Sequence, residues 1–505
     1  MSRLQRNVIA NFVGKGWAAV LGLAVVPLYI RILGIEAYGL VGFYITLQAV
    51  FAVLDLGLST TLNRELARFS ALPDRAQDMR NLVRTLEVIY WGVAILIGGL
   101  VMALSPFIAR YWVRAETIPV GTVQLAVMLM GLVLAFQWPF GFYSGGLLGL
   151  QHQVLYNVLL VILYTMRYAG VIPVLYFVSP TIEGYFFWQA LVSMGVTIAA
   201  AIILWRILPL STKRSTFQRS LLSEVWRFAA GMSGISLSVL VLTQADKVIL
   251  SRILPLAQFG YYTLAWLVAN SLYLLVSPFF MALFPRFTDL AAARETEKLT
   301  LLYHRSSQIV AVMVFPIALG IAFFSREILF FWTGDTVTAS NTYSIVTLLI
   351  LGTGLNGIMN IPYALQLAHG WTKLSLLTNL ISIAILIPSL LLLTLFWGAI
   401  GAAFMWLLLN GGYILFSIPF MHRRLLVGEK WNWYLNDLGP PFLATFAVLM
   451  IGRWIVSQEV SVPAQFMTIG VVLCIAFTAA AVATSVTRSA MIRLITQTFR
   501  RLKRA

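Results

Sequence analysis

The sequence predicts an all-α integral membrane protein with about fourteen transmembrane helices. Hydrophobic residues make up 60% and charged residues 10% of its 505 positions, and the mean hydropathy is +0.88. A soluble domain carries roughly 25% charged residues. The apolar residues lie in runs of about 20, enough for a helix to cross a hydrocarbon core of roughly 30 Å. The runs lack the alternating pattern of a membrane β-barrel, so helices are the predicted spans.

The positive charge of the chain follows the predicted topology. The fourteen predicted spans begin near Val8, Tyr38, Leu86, Gly121, Val154, Tyr185, Ala229, Phe259, Ser307, Thr342, Ser375, Ala399, Leu438 and Phe466. With the N-terminus in the cytoplasm, 26 of the 35 Lys and Arg residues lie on the cytoplasmic side. This bias orients membrane proteins. The net charge of +17 therefore indicates topology and attraction to anionic lipid rather than nucleic-acid binding.

A repeated motif divides the chain. RILGIEAYG at residues 31–39 returns without a gap as RILPLAQFG at residues 252–260, and each copy lies between two long apolar runs. Six spans per half predict two parallel repeats, related by an axis along the membrane normal. The predicted organisation is a six-helix lobe at 1–210, a cytoplasmic linker at 211–223, a second six-helix lobe at 224–421, a linker at 422–437, two further spans at 438–487 and a cytoplasmic tail at 488–505. The tail is either a basic amphipathic helix on the membrane surface or a solvated basic segment.

Ionisable residues inside the predicted spans need a physical reason, since each costs about 2.5–3.5 kcal/mol at a helix centre. They are Lys15 (one turn after Asn11), Asp55, Arg167, Asp246 and Lys247. Fixed cations would let an anionic head group enter the membrane. The alternative is an internal ion pair, in which Asp55 or Asp246 is the partner.

Polar stripes occur on two predicted spans. The seventh span carries Ser236, Thr243, Asp246 and Lys247 at helical spacing, and the tenth carries Thr353, Asn356, Asn360 and Tyr363. Such stripes line a hydrated cavity or form hydrogen bonds between helices. Both explanations stay open for the tenth span.

Charged residues at predicted span ends are interpreted separately. Arg64 and Arg286 are expected at the cytoplasmic ends of the second and eighth spans, where each receives a phosphate at the entrance or anchors a helix end. Glu87 and Glu183 are expected near span ends that reach water.

The motifs of an enzyme or a metalloprotein are absent from the sequence. There is no phosphate-binding loop, and the four histidines are scattered over predicted helix ends and loops. The single cysteine, Cys474, excludes a site built from several cysteines. We therefore predict no catalytic residue, no cofactor and no metal site.

Several segments resemble one family. They are NVIANF at 7–12, PLYIRILG at 27–34, Tyr38-Gly39, LDLGL at 54–58, NRE at 63–65, QADK at 244–247, LSR at 250–252 and Tyr261-Tyr262. They resemble Wzx-type polysaccharide flippases, the polysaccharide-transporter branch of the multidrug/oligosaccharidyl-lipid/polysaccharide exporter superfamily. The resemblance implies a MATE-like, V-shaped exporter with two six-helix lobes around a central cavity.

The same resemblance implies a function and a place. The expected substrate is an undecaprenyl-diphosphate-linked oligosaccharide, moved from the cytoplasmic to the periplasmic leaflet by alternating access for O-antigen, capsule or exopolysaccharide assembly. The cations implied to meet the diphosphate are Lys15, Arg31, Arg167 and Lys247. The location implied is the bacterial inner membrane, with both termini cytoplasmic and a polysaccharide polymerase or chain-length machinery as a partner.

Two other functions are alternatives, a multidrug exporter and a membrane enzyme. A cation-coupled multidrug exporter of the same superfamily would use acids in its cavity, and Asp55 and Asp246 are candidates. A membrane polysaccharide polymerase or ligase would need a sizeable external loop with reactive groups, and none of the predicted external loops exceeds roughly twenty residues.

Overall fold

The computed structural model describes residues 3–211, 213–458 and 461–489, without the side chains of residues 3–13, 15 and 220–236. Over those ranges the regular structure is helical, with one isolated β-bridge between Arg114 and Pro255. The all-α prediction is confirmed.

The chain divides into two compact units, Met1–Gly260 and Tyr261–Ala505. The helices of the first unit are α1 (Arg3–Leu33), α2 (Ile35–Ala52), α3 (Leu58–Ser70), α4 (Ala76–Phe107), α5 (Val120–Gly149), α6 (Gln153–Tyr164), α7 (Val171–Phe177), α8 (Ile182–Ile207) and α9 (Arg219–Ile253). A 3₁₀ turn at Val53–Asp55 and π-helical turns at Ile108–Trp112 and Thr165–Ala169 extend α2, α4 and α6.

The second unit begins within α10 (Leu256–Asn270). Its other helices are α11 (Tyr273–Ala292), α12 (Thr296–Phe323), α13 (Ser325–Thr333), α14 (Thr336–Ala368), α15 (Thr372–Gly412), α16 (Ile418–His422), α17 (Lys430–Asn432), α18 (Gly439–Gln458) and α19 (Val462–Ala483). π-helical turns occupy Tyr413–Ser417 and Trp433–Leu438. The lobe boundaries at 210 and 224 come from the predicted spans and the polar linker between them, and they stay a prediction.

Twelve helices of the described chain are long and apolar enough to cross a membrane. The predicted count of fourteen is not confirmed. Two predicted spans, beginning near Ser375 and Ala399, share the 41-residue helix α15, whose backbone leaves helical geometry at Gly398 (φ 56°, ψ −135°). The predicted seventh span lies on α9, which is not among the twelve and whose residues 220–236 have no described side chains.

The core of the first unit forms where α3, α4, α5, α6 and α8 pack together. Its fully buried side chains include Leu62, Leu86, Phe142 and Leu204. α5 is apolar around its whole circumference, as expected of a helix surrounded by other helices or lipid. This packing fixes the positions of the polar side chains described below.

The two copies of the repeated motif contact each other in a symmetrical way. Gly39 of α2 lies against the backbone of Leu256, and Gly260 of α10 lies against the backbone of Ile35. Ile35 and Leu256 hold the same place in their copies, as do the two glycines. A Cβ atom on either glycine would come within 2.4 Å of the facing carbonyl oxygen. Only glycine permits this approach of two helix ends.

The loop between α4 and α5 binds both copies. The carbonyl of Arg114 accepts a hydrogen bond from the amide of Leu256 at 2.8 Å. The carboxylate of Glu36, which is buried, accepts hydrogen bonds from the amides of Glu116 (2.5 Å) and Thr117 (3.0 Å). Glu36 of the first copy therefore holds the α4–α5 loop, and Leu256 of the second copy bonds to the same loop.

We predict that Gly39→Ala and Gly260→Ala each destabilise the protein. The added methyl group must displace backbone, and overpacking of this kind costs about 1–3 kcal/mol. The measurement is the unfolding temperature of the detergent-solubilised protein. Gly99→Ala in α4 is the matched control, because its Cβ would meet nothing within 4 Å. Equal unfolding temperatures for all three variants would contradict the proposed role of the contact.

Candidate functional site

Arg167 is a buried cation in the first unit. It lies in the π-helical turn after α6, and only 7% of the residue is exposed. Its Nη2 atom donates hydrogen bonds to Oε1 of Gln137 at 2.7 Å and to Oγ of Ser193 at 2.6 Å. The Tyr44 hydroxyl donates to the same Gln137 oxygen. Four parts of the unit, α2, α5, the turn and α8, therefore meet at one guanidinium group.

The charge of Arg167 has no carboxylate partner within the described chain. No ion pair among the described residues includes Arg167. The Nε atom of Arg167 is buried and has no hydrogen-bond partner among those residues. The ion-pair alternative from the sequence is therefore wrong for this residue. A buried charge without a counter-charge is costly, which makes it a candidate for binding an external anion.

Asp55 lies in the 3₁₀ turn where α2 gives way to α3. Leu56 and Gly57 follow it with positive φ angles of 47° and 78°, and these turn the chain into α3. The Asp55 carboxylate accepts hydrogen bonds from the Oγ (2.8 Å) and the amide (3.3 Å) of Ser59, and from the Tyr90 hydroxyl. The carboxylate is thus hydrogen-bonded at a helix N-terminus, where negative charge is favoured.

A cleft joins Asp55 to the predicted seventh span. Its volume is about 470 Å³, and its polar lining residues are Asp55, Thr60 of α3 and Thr243 of α9. Leu237 and Leu240 of α9 supply apolar lining. The structure therefore brings Asp55 and Thr243, which lie far apart in the sequence, to one cleft.

Lys247 and Asp246 form the internal ion pair that was one of the two sequence hypotheses. Nζ of Lys247 lies 3.3 Å from Oδ1 of Asp246 and donates to the carbonyl of Thr243 at 2.7 Å. The side chains of the pair are 13% and 12% exposed. Unlike Arg167, this cation therefore has its counter-charge beside it.

The other predicted cations are less enclosed. Arg31 is exposed in the last turn of α1, and Arg286 is exposed on α11. Arg64 lies within α3 and not at the end of the second span, because α2 ends at Ala52; it donates to Glu65 at 2.5 Å. The side chains of Lys15, Asn11 and Ser236 lie outside the described residues.

The polar stripe of the tenth span holds helices together. Asn356 of α14 accepts from the Tyr273 hydroxyl at 2.8 Å and donates to Oδ1 of Asn410 at 2.7 Å. Thr353, one turn earlier, accepts from Nε1 of Trp406 at 3.1 Å. Asn360 donates to the Asn356 carbonyl at 3.0 Å, within α14. These contacts match the interhelical hydrogen-bond hypothesis for Asn356.

Glu87, set aside in the sequence as water-accessible, is buried. α4 begins at Ala76, so Glu87 lies well inside the helix and is 7% exposed. Its carboxylate accepts from the Tyr143 hydroxyl at 2.7 Å and from Nε1 of Trp205 at 3.0 Å, and Arg84 lies 2.9 Å away. The span predicted from the sequence begins near Leu86, and the earlier start of α4 is what puts Glu87 inside the helix. Gln137 and Ser193, uncharged and outside any stripe, gave no signal.

Within the described residues, no group of His, Cys, Asp and Glu could hold a metal ion. The polar chemistry of the first unit is thus that of a buried guanidinium and a hydrogen-bonded carboxylate near a cleft.

Comparison with known proteins gives consistent results. Residues 4–291 match the model of the family described as "Polysaccharide biosynthesis protein". A Shigella flexneri protein named "Putative O-antigen transporter" is 21% identical over 407 residues, which cover 79% of this chain and 93% of that protein.

The solved structures that are similar in fold include two transporters. The structure described as lipid II flippase MurJ in an inward closed conformation has a TM-score of 0.66 at 13% identity, covering 93% of this chain and 97% of that chain. An inward-facing multidrug resistance MATE family transporter of the MOP superfamily has a TM-score of 0.65 at 13% identity, covering 82% of this chain and 94% of that chain. The predicted MATE-like fold is confirmed.

We predict that Asn356→Ala destabilises the second unit more than Asn360→Ala. Asn356 links Tyr273 and Asn410 across helices, and hydrogen bonds between membrane helices contribute about 0.6 kcal/mol each on average. Loss of two such bonds lowers the unfolding temperature of the solubilised protein, whereas Asn360→Ala removes a bond within one helix. Equal unfolding temperatures for the two variants would contradict the linking role.

Proposed function

The chain belongs to the polysaccharide biosynthesis protein family, and from that membership we propose that it is a flippase for an undecaprenyl-diphosphate-linked oligosaccharide. As a transporter of the MOP superfamily fold, it is not an enzyme. The oligosaccharide repeat unit moves from the cytoplasmic to the periplasmic leaflet for O-antigen, capsule or exopolysaccharide assembly. The relative named as an O-antigen transporter supports this substrate class.

The observation that carries the proposal is the uncompensated charge of Arg167. A diphosphate carries negative charge into a region of low dielectric, where its entry needs a fixed cation. A guanidinium binds phosphate oxygens through paired N–H donors. Gln137 and Ser193 orient Arg167 through one nitrogen, and its Nε has no partner among the described residues. We assign Arg167 to the diphosphate; Lys15, Arg31 and Lys247 remain candidates for the same anion.

The route through the protein is part of the proposal. Two six-helix lobes, 1–210 and 224–421, expose the substrate site alternately to the two sides of the membrane, as parallel repeats do in other transporters. Arg64 and Arg286 attract the head group at the entrance. Asn11, Asp55, Thr243, Asp246 and Asn360 supply polar groups along the path or couple an ion, whereas Asn356 links helices.

The orientation and partners follow the same logic. We place the protein in the bacterial inner membrane with both termini cytoplasmic, because the predicted cytoplasmic segments hold 26 of the 35 Lys and Arg residues. Anionic lipids bind these segments, and a polysaccharide polymerase or chain-length machinery receives the product.

A cation-coupled multidrug exporter is the second candidate. The observation that favours it is Asp55, an acid that lines the cleft with Thr243. A carboxylate in a cleft attracts a lipophilic cation or a coupling ion. Arg167 disfavours a cationic substrate in its own surroundings, because like charges repel in a low dielectric.

We predict that Arg167→Gln slows flipping of a lipid-linked diphosphate glycan at least tenfold in proteoliposomes. A hydrogen bond to a charged group contributes about 1.5–3 kcal/mol, or roughly 10–100-fold. The measurement is the rate at which a fluorescent glycan lipid leaves one leaflet. Arg167→Lys, which keeps the charge, should retain part of the rate. Arg453→Gln is the control, since Arg453 already has a carboxylate partner, Glu327, at 2.6 Å.

An unchanged rate in folded Arg167→Gln protein would remove Arg167 from the site. Failure of the unmutated protein to flip any diphosphate-linked glycan would overturn the function itself. The unfolding temperature of each variant separates these results from misfolding.

A second prediction separates the two candidate functions. The same proteoliposomes, given a proton or sodium gradient, should not accumulate a lipophilic cationic dye. Accumulation that Asp55→Asn abolishes would instead support the multidrug exporter. Asn keeps the size of the side chain and its contact with Ser59, so a change reports the lost charge.

A further inference from the structure

His304 of α12 lies between two carboxylates. Its Nδ1 atom is 2.5 Å from Oδ2 of Asp437, and its Nε2 atom is 3.1 Å from Oε2 of Glu429. Asp437 is 1% exposed, and the His304 side chain is 12% exposed. No pattern in the sequence connects His304 to either carboxylate, since both lie more than 120 positions away.

The two carboxylate contacts favour one protonation state of the imidazole, whose Nε2 atom also lies 3.4 Å from Nδ2 of Asn432. An ionised carboxylate can only accept hydrogen bonds, and a neutral imidazole has one donor nitrogen and one acceptor nitrogen. A neutral His304 would therefore direct one lone pair at a carboxylate oxygen. With a proton on both nitrogens, His304 donates to both carboxylates, and its positive charge offsets part of theirs.

The groups around His304 favour this state. His422 donates from Nδ1 to the Ile418 carbonyl at 3.1 Å, and its Nε2 lies 3.4 Å from the Tyr303 hydroxyl, so neither contact of this second imidazole involves a carboxylate. Lys430, beside Glu429, is the nearby cation of the 429–438 segment, and Asn432 donates to Glu429 at 2.8 Å. One imidazolium offsets the charge of the buried Asp437, and Glu429 accepts from Asn432 as well as from His304.

The same face of α12 binds both ends of the α18–α19 pair. Gln308, one turn after His304, donates to Oδ1 of Asp437 at 2.9 Å, just before α18 begins. Its Oε1 accepts from Ser485 Oγ and from the Val486 amide, each at 3.3 Å, just after α19 ends. Asp437 is thus held by two side chains of α12, His304 and Gln308.

We infer that His304 is a buried proton-binding site, and that its bound proton fastens the α18–α19 pair to α12. The ligand is H⁺, held between Asp437 and Glu429. Loss of the proton leaves one of the two carboxylates facing the lone pair of a ring nitrogen, which weakens the attachment of residues 429–438. This inference is independent of the transported substrate.

The direct test is the protonation state of His304 in the full-length protein. The chain has four histidines, so ¹⁵N-histidine labelling gives a spectrum with four imidazole groups, and the conservative His304→Gln variant identifies one of them. At about pH 8 an unperturbed imidazole, with a pKa of about 6.5, is neutral. We expect both nitrogens of His304 to be protonated there. A neutral His304 at this pH overturns the inference.

A second measurement tests the attachment. Hydrogen–deuterium exchange at a single pH should be about tenfold faster or more in residues 429–438 for His304→Gln and Asp437→Asn, as expected when a charge-assisted hydrogen bond is lost. Exchange in α4 should not change. Glu297→Gln, an exposed acid on α12, is the matched control. If the first measurement finds His304 protonated in the unmutated protein, unchanged exchange at 429–438 in either variant overturns the proposed attachment by this proton.

Discussion

Buried polar groups in a membrane must find partners inside the protein, and this requirement organises most of the described structure. Water is absent from the hydrocarbon region, so an unpaired polar group there costs several kcal/mol. Asp55 meets the requirement through Ser59 and Tyr90, and Asn356 meets it through Tyr273 and Asn410. These bonds also fix which helices are neighbours, since each one joins side chains from different elements.

The buried cations differ in whether a counter-charge lies beside them. His304 lies between two carboxylates, and Lys247 has Asp246 beside it, so both are neutralised within the protein. Arg167 is as deeply buried but is held by the neutral side chains of Gln137 and Ser193. A neutral hydrogen-bond acceptor orients a guanidinium without cancelling its charge. That distinction gives Arg167 the strongest claim to an anionic substrate and makes His304 a structural proton site.

The contact between the two copies of the repeat explains why both copies end in glycine. Gly39 and Gly260 each lie against a carbonyl of the opposite copy, and the loop held by Glu36 binds the second copy through Arg114. Position 34 is a glycine with φ 84° in the first copy, whereas the second has Pro255 there. The turns therefore diverge while the helix-to-helix contact is kept.

The sequence by itself determined the helical membrane fold, the repeat, the family resemblance and the presence of charge in the spans, because hydropathy, periodicity and local motifs are properties of neighbouring residues. It could not decide which charges are compensated. Arg167 gives no sign in the sequence of what holds it, and Glu87 looks accessible, yet their partners Ser193 and Trp205 come from α8, which is distant in the chain. Asn356 could have lined a cavity but bonds across helices. Only the packing of helices brings His304 to Asp437, because a hydrogen bond depends on distances of about 3 Å that no spacing along one chain specifies.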